Sequence, residues 1–180
     1  MCVVNSRNPA RKLSLEELEI LLSGTGKKGI TPFIEDDYRL HSFLAAKLGK
    51  KTGDLRARVY SDNMELLKQV SGDNNAVGLL FSSSLERTID KMAQNDSTRM
   101  NKTRVLPLAN KSGDISAYLP TRQNMFEGGY PLVTTLYYVY YPGDGLATGF
   151  GAWLGSSGQK VFESTSFAPH RLVERTIILK

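Results

Sequence analysis

Between Cys2 and Gln94 the chain repeats one grammar four times: a short apolar run, a side chain suited to cap a helix, then a helical pattern. Strand-length runs spaced by helices restrict the chain to α/β layered folds. Cys2 to Asn5 is the first apolar strand. Ser14 opens the first helix, its hydroxyl capping free N–H groups while Glu17 reaches back to complete a capping box. Leu13 and Leu18 are spaced as a hydrophobic staple, Leu15, Leu18 and Leu22 share one face, and Gly24 suits the stop. Gly29 to Ile34 reads as the next strand, and Asp36 or Asp37 caps a helix running to Leu48 and ended by Gly49. Arg56 to Tyr60 is a strand, Asp62 with Glu65 a second capping box, and the helix through Val70 ends at Gly72. Ala76 to Phe81 is a continuous apolar run, after which Ser83 with Glu86 starts a helix to Gln94.

The second half is less regular. Asn95 to Lys102 is a polar surface loop and Arg104 to Ala109 a strand. In YLPTRQNMFEGGYPL, Pro120-Thr121 starts a short helix, Gly128-Gly129 ends it, and Tyr130-Pro131 leads into a long strand over Leu132 to Tyr141. Tyrosines 137, 138, 140 and 141 fall on both faces of that strand and are mainly packing residues. Short helices over Ala147 to Leu154 and Gln159 to Glu163 flank Gly155-Ser156-Ser157, and Arg175 to Leu179 forms a last strand. No internal repeat, low-complexity tract or long linker divides the chain.

Charge and cysteine content narrow the partners. A net charge of +5 favours anions weakly, but the basic residues are scattered and never interleave with aromatics as a nucleic-acid platform requires. The richest stretches, Arg7 to Lys12, Lys27-Lys28 and Lys47 to Lys51, lie at helix ends or turns and read as solvated surface. A single cysteine, Cys2, rules out an intrachain disulfide and a Cys-based zinc site. No apolar run approaches the roughly 18 residues needed to span a bilayer, and the N-terminus lacks the regions of a secretory signal. The protein is therefore either cytoplasmic or has its leader outside this chain.

Few residues point to chemistry. Asp36 and Asp37 form either a cation-binding or acid/base pair, or a helix cap that complements the dipole. His41 reads as a half-buried helix residue and His170 as a loop residue, with no carboxylate or cysteine at ligand spacing. Ser82-Ser83-Ser84 can offer hydroxyls and N–H groups to a small anion, or merely cap. GDGLATGFG is Gly-rich but lacks the lysine of a phosphate loop, and no nucleophile elbow, Walker loop or GxGxxG occurs. No cofactor and no enzymatic activity is expected.

Taken in order, VVN with Asn8-Pro9 and LSLEELEILLSG, DNMELLKQV with NAVGLL, VLPLA, the PT…GGYPL corner, LYYVYY and FGAWLGSSGQKVFESTSFAP resemble the phosphate-type solute-binding proteins of ABC transporters. The resemblance implies an α/β, periplasmic-binding-protein-like (type II) sandwich. Residues 6–129 would be the second lobe, with 1–5 and 130–180 supplying crossing strands and the rest of the first lobe. Val4 and Val139 would then lie side by side in the bridge between lobes. It also implies that most of the first lobe is absent from this chain, so that the strand from Leu132 to Tyr141 has an open edge available for self-association. The family holds its oxyanion at a Ser-Gly-Thr turn on a helix N-terminus; here that place reads FIEDDYRLHSFL. Glu35, Asp36 and Asp37 put negative charge there, which Arg39 or a cation must offset. The ligand-binding residues implied are Asp37, Tyr38, Arg39 and Ser83. The expected role is a periplasmic or extracytoplasmic solute-binding protein, holding phosphate or another small anion and engaging a membrane permease. The alternative is an interaction or adhesion module that keeps the fold without the anion-binding turn.

Overall fold

The computed structural model describes residues 1–25, 29–95, 102–162, 165 and 167–170. A five-stranded sheet organises the chain, in the order β4-β3-β5-β1-β6, formed by Arg58–Tyr60 (β4), Thr31–Glu35 (β3), Ala76–Leu79 (β5), Cys2–Asn5 (β1) and Thr103–Val105 (β6). β3 runs parallel to both β4 and β5, whereas β1 runs antiparallel between β5 and β6, with Val3 opposite Gly78 on one side and Val105 on the other. A two-stranded parallel ladder of Leu13–Ser14 (β2) and Leu108–Ala109 (β7) stands beside it. The strand expected over Arg104 to Ala109 is thus two short strands serving different sheets, broken at Leu106-Pro107.

Alternation along the strands builds two apolar layers. Cys2, Val4, Ile34, Val77 and Leu79 face a layer supplied by Leu15–Leu22 (α1) and Tyr38–Lys47 (α2). Val3, Phe33 and Ala76 face the opposite layer of Asn63–Gly72 (α3) and Ser82–Asn95 (α4). Leu18 and Leu22 on one side, and Leu66 and Val70 on the other, are fully buried. Each such side chain contributes about 1.5–3 kcal/mol of apolar burial. Among the described residues no helix is long and apolar enough to cross a membrane.

Local signals account for most helix ends. Ser14 accepts from the Glu17 N–H at 3.0 Å and the Glu17 carboxylate accepts from the Ser14 N–H at 2.8 Å, so the expected capping box forms. Leu13 and Leu18 join one cluster, though Leu21 is the buried companion of Leu18 and Leu22 while Leu15 is only partly covered. Gly24, Gly49 and Gly128 each adopt positive φ just past a helix, the conformation that stops it. Asp62 caps α3 by accepting from the Met64 N–H, and Glu65 turns outward to Gln69 and Lys68, so the expected box does not form. Ser83 is not a cap: α4 already begins at Ser82.

The largest departure is the ribbon from Leu132 to Tyr141, which forms no strand. Val139 is 85% exposed and not beside Val4, because β5 and β6 occupy both edges of β1 and a strand has only two. Aromatic and β-branched composition favours a pleated surface but does not supply a partner for it. Tyr138 and Tyr140 stack at 5.4 Å, and Tyr138 meets Phe150 edge-on at 5.3 Å, fastening Gly145–Leu154 (α6) to the ribbon. Arg122–Phe126 (α5), which starts at Pro120-Thr121 as expected with Thr121 as its cap, and Gln159–Phe162 (α7) complete the helices. The strand expected over Arg175 to Leu179 lies outside the described residues, as do Lys27-Lys28 and most of the loop expected after Asn95.

Candidate functional site

Neighbouring strands β3 and β5 send their chains in opposite directions, β3 through α2 toward β4 and β5 through α4 toward β6. In an open α/β sheet the crevice outside the carboxyl ends of two such strands is where ligands bind. Here it is flanked by the first turns of α2 and α4 and roofed by α5, the Tyr130–Leu136 stretch and α7. The cleft is open to solvent on one side and has a volume of about 770 Å³.

Glu35 pins the floor of this crevice. It follows Phe33 by two positions, so alternation turns it to the α3/α4 side. There its carboxylate accepts from Asn63 Nδ2 at 2.8 Å, the Ser84 hydroxyl at 2.6 Å and the Phe81 N–H at 3.0 Å. One buried carboxylate thereby ties together the ends of β3 and β5 and the starts of α3 and α4. It is not on the cavity wall. The expected repulsion of an anion by Glu35 is relieved, because three donors hold its charge. His41 is half-buried as expected, its Nε2 3.0 Å from the Glu35 carbonyl oxygen.

The four sequence-derived site residues part company. Asp37 caps α2 by accepting from the Arg39 N–H at 2.8 Å, and its carboxylate receives Arg39 Nε at 3.1 Å and Nη2 at 2.6 Å. The Arg39 hydrogen bonds hold the Asp37 carboxyl at about 2, below its ordinary value. Tyr38 is 78% exposed, and neither it nor Asp37 reaches the cavity wall. Arg39 and Ser83 do reach it, with the Arg39 guanidinium 5.8 Å over the Phe81 ring.

Sequence reasoning passed over Arg87, Gln159 and Tyr130. Arg87 stands one turn beyond Ser83, the spacing that could have flagged it, and its Nε donates to the Ser83 carbonyl at 3.2 Å. Gln159 is buried and accepts the His170 N–H at 2.7 Å, bringing His170 to the wall. Tyr130 is buried with a hydroxyl that has no partner among the described residues, and burial raises its phenol strongly. The wall therefore carries two arginines, two serines and no carboxylate, among mostly apolar side chains. Among the described residues no cluster of three His, Cys, Asp or Glu side chains is placed to hold a metal.

Sheet order, cleft position and wall chemistry define an α/β protein with a switch-point cleft. The chain belongs to the PBP superfamily, whose domain model matches residues 1–157. No curated protein matches it. Among solved structures it is similar to an ABC-type phosphate transport receptor from Vibrio cholerae, with a TM-score of 0.61, 18% identity and 90% of this chain covered. It is also similar to PstS from Borrelia burgdorferi, with a TM-score of 0.63, 17% identity and 93% of this chain covered. The chain spans 65% of the length of the first and 67% of the second. At such identities the likeness establishes the fold, and the α/β, periplasmic-binding-protein-like architecture expected from the sequence is the one observed.

Proposed function

We propose that this chain carries the ligand-holding part of a solute-binding protein of an ABC-type importer, taking a small anion in the cleft between β3 and β5. The observation that supports this most is the wall itself: Arg39 and Arg87 converge on the first turn of α4, where Ser82 and Ser83 lie, and no carboxylate opposes them. Guanidinium forks and free helix N–H groups are suited to carboxylate and phosphate oxygens. Ser83 and Arg39 would touch the ligand, Asp37 would hold Arg39 in place, and Tyr38 would lie at the cleft mouth. Residues 6–129 would act as one lobe and 1–5 with 130–180 as part of the other. Binding without chemistry in an extracytoplasmic compartment, followed by docking on a membrane permease, completes the role.

Titration calorimetry against phosphate, other oxyanions and small organic acids tests this. Binding to at least one of them, weakened in Arg87→Gln, is the expected result; silence across the set refutes it.

One observation favours an interaction module instead. Glu35 already occupies the Phe81 N–H and the Ser84 hydroxyl, donors at the very start of α4. Absence of permease and ATPase genes beside this one, together with no ligand response, would select that alternative. Self-association along the uncharged Leu132 to Tyr141 ribbon belongs to either role, and a stable monomer on size-exclusion chromatography counts against it.

A further inference from the structure

We infer, building on that binding role, that the solute is an anion with an apolar body, such as an aliphatic or aromatic carboxylate, and not inorganic phosphate. A cavity of about 770 Å³ falls in the range of about 300–1,000 Å³ that encloses a small organic molecule. An inorganic oxyanion would leave most of that space to water.

The two arginines of the wall are confined to one region. Arg39 sits over Phe81, Arg87 bonds the Ser83 carbonyl, and the two serines lie between them. The remaining wall is mostly apolar, with Phe43 from α2, Met125 and Phe126 from α5, Leu132 and Leu136 from the ribbon and Phe162 from α7, interrupted by the neutral polar groups of Thr134, Thr135, Gln159 and His170. Phe126 and Leu136 are left 43% and 69% exposed. A ligand with a hydrocarbon body would cover them, whereas a bare oxyanion would not.

The donor supply is short as well. Glu35 consumes the Phe81 N–H and the Ser84 hydroxyl, and Asp37 consumes Arg39 Nε and Nη2. A desolvated phosphate needs donors on all of its oxygens, since each charged atom left unpaired is costly. One carboxylate facing Arg87, Ser82 and Ser83 asks for far fewer. The binding free energy must then come largely from burying the body.

Calorimetry of this chain with inorganic phosphate, with the straight-chain acids from acetate to octanoate, and with hexan-1-ol reads the difference. The expected result is a Kd that tightens by about fourfold per added methylene until the cavity is full, with phosphate weaker than hexanoate. Arg87→Gln should weaken every acid by a similar factor and leave the length dependence intact. Phosphate binding with no length dependence overturns the inference while sparing the anion-binding role. Hexan-1-ol binding as tightly as hexanoate overturns the anionic half, and silence from all three ligand types overturns both proposals.

Discussion

Glu35 offers the sharpest test of how the cleft is held together. In Glu35→Ala three donors lose their acceptor at once: Asn63 Nδ2, the Ser84 hydroxyl and the Phe81 N–H. A net hydrogen bond to a charged group contributes about 1.5–3 kcal/mol, and a buried donor left unpaired costs about 1–3 kcal/mol. Water entering the space offsets part of this, so we expect Glu35→Ala to lose about 3–5 kcal/mol of stability. For a chain of this size that lowers Tm by roughly 6–20 °C. Glu35→Gln should behave differently. Its amide oxygen can accept the Phe81 N–H while its NH2 donates to the Ser84 oxygen and to Asn63 Oδ1, which is buried and has no partner among the described residues. Asn63 need only turn its amide over. The loss then shrinks to about 1–2 kcal/mol, the difference between charge-assisted and neutral hydrogen bonds. Urea unfolding at neutral pH, followed by far-UV circular dichroism, measures both. Equal losses for Ala and Gln would refute the hydrogen-bond account, and a loss below about 1 kcal/mol for Ala would refute the pinning role altogether.

Three further outcomes follow from particular contacts. A Cβ added at Gly78 would lie 2.9 Å from Val70 Cγ2 and 3.0 Å from Leu66 Cδ2, so Gly78→Ala should cost about 1–3 kcal/mol; an unchanged urea midpoint would mean that layer can give. The Asp37 carboxyl is held low by Arg39, so its contribution is complete above the ordinary aspartate range near pH 4 and is lost as pH falls toward 2. Wild type and Asp37→Asn should therefore differ by a constant amount above pH 5 and converge in acid, by a small step because solvent screens the pair; a gap that widens in acid contradicts this. Burial pushes the Cys2 thiol up to about 11, so iodoacetamide at pH 8 should leave the native chain unlabelled and modify it quickly in guanidinium; rapid native labelling would show that β1 opens.

What the sequence made legible is what depends on neighbours a few residues away. The Ser14–Glu17 box, the Asp37 cap, the helix start at Pro120-Thr121 and the glycine stops all close within one helical turn, and each was readable. Partnership between distant segments was not. The Leu132 to Tyr141 run has every local mark of a strand, yet pairing is a property of two segments, and among the described residues none pairs with it. Glu35 was misjudged for a related reason. In sequence it joins Asp36 and Asp37 as a block of charge, but two-residue alternation after Phe33 carries it inward, beneath donors contributed by residues 63, 81 and 84. Arg39 and Ser83 do reach one cavity, whereas Tyr38, the first residue of α2, projects into solvent.

The placement of β1 has a consequence for how the molecule assembles. The four residues of β1 are the keystone of the sheet: they hydrogen-bond to partners about 75 and 100 positions later. β4, β3, β5 and β1 can all pair once residue 79 is present, but the outer edge of β1 stays bare until β6 joins it at residues 103–105. Closure is thus postponed to the end of folding, under the entropy of two long loops. Trimming the first five residues would for the same reason act like cutting a strand from the middle of the molecule.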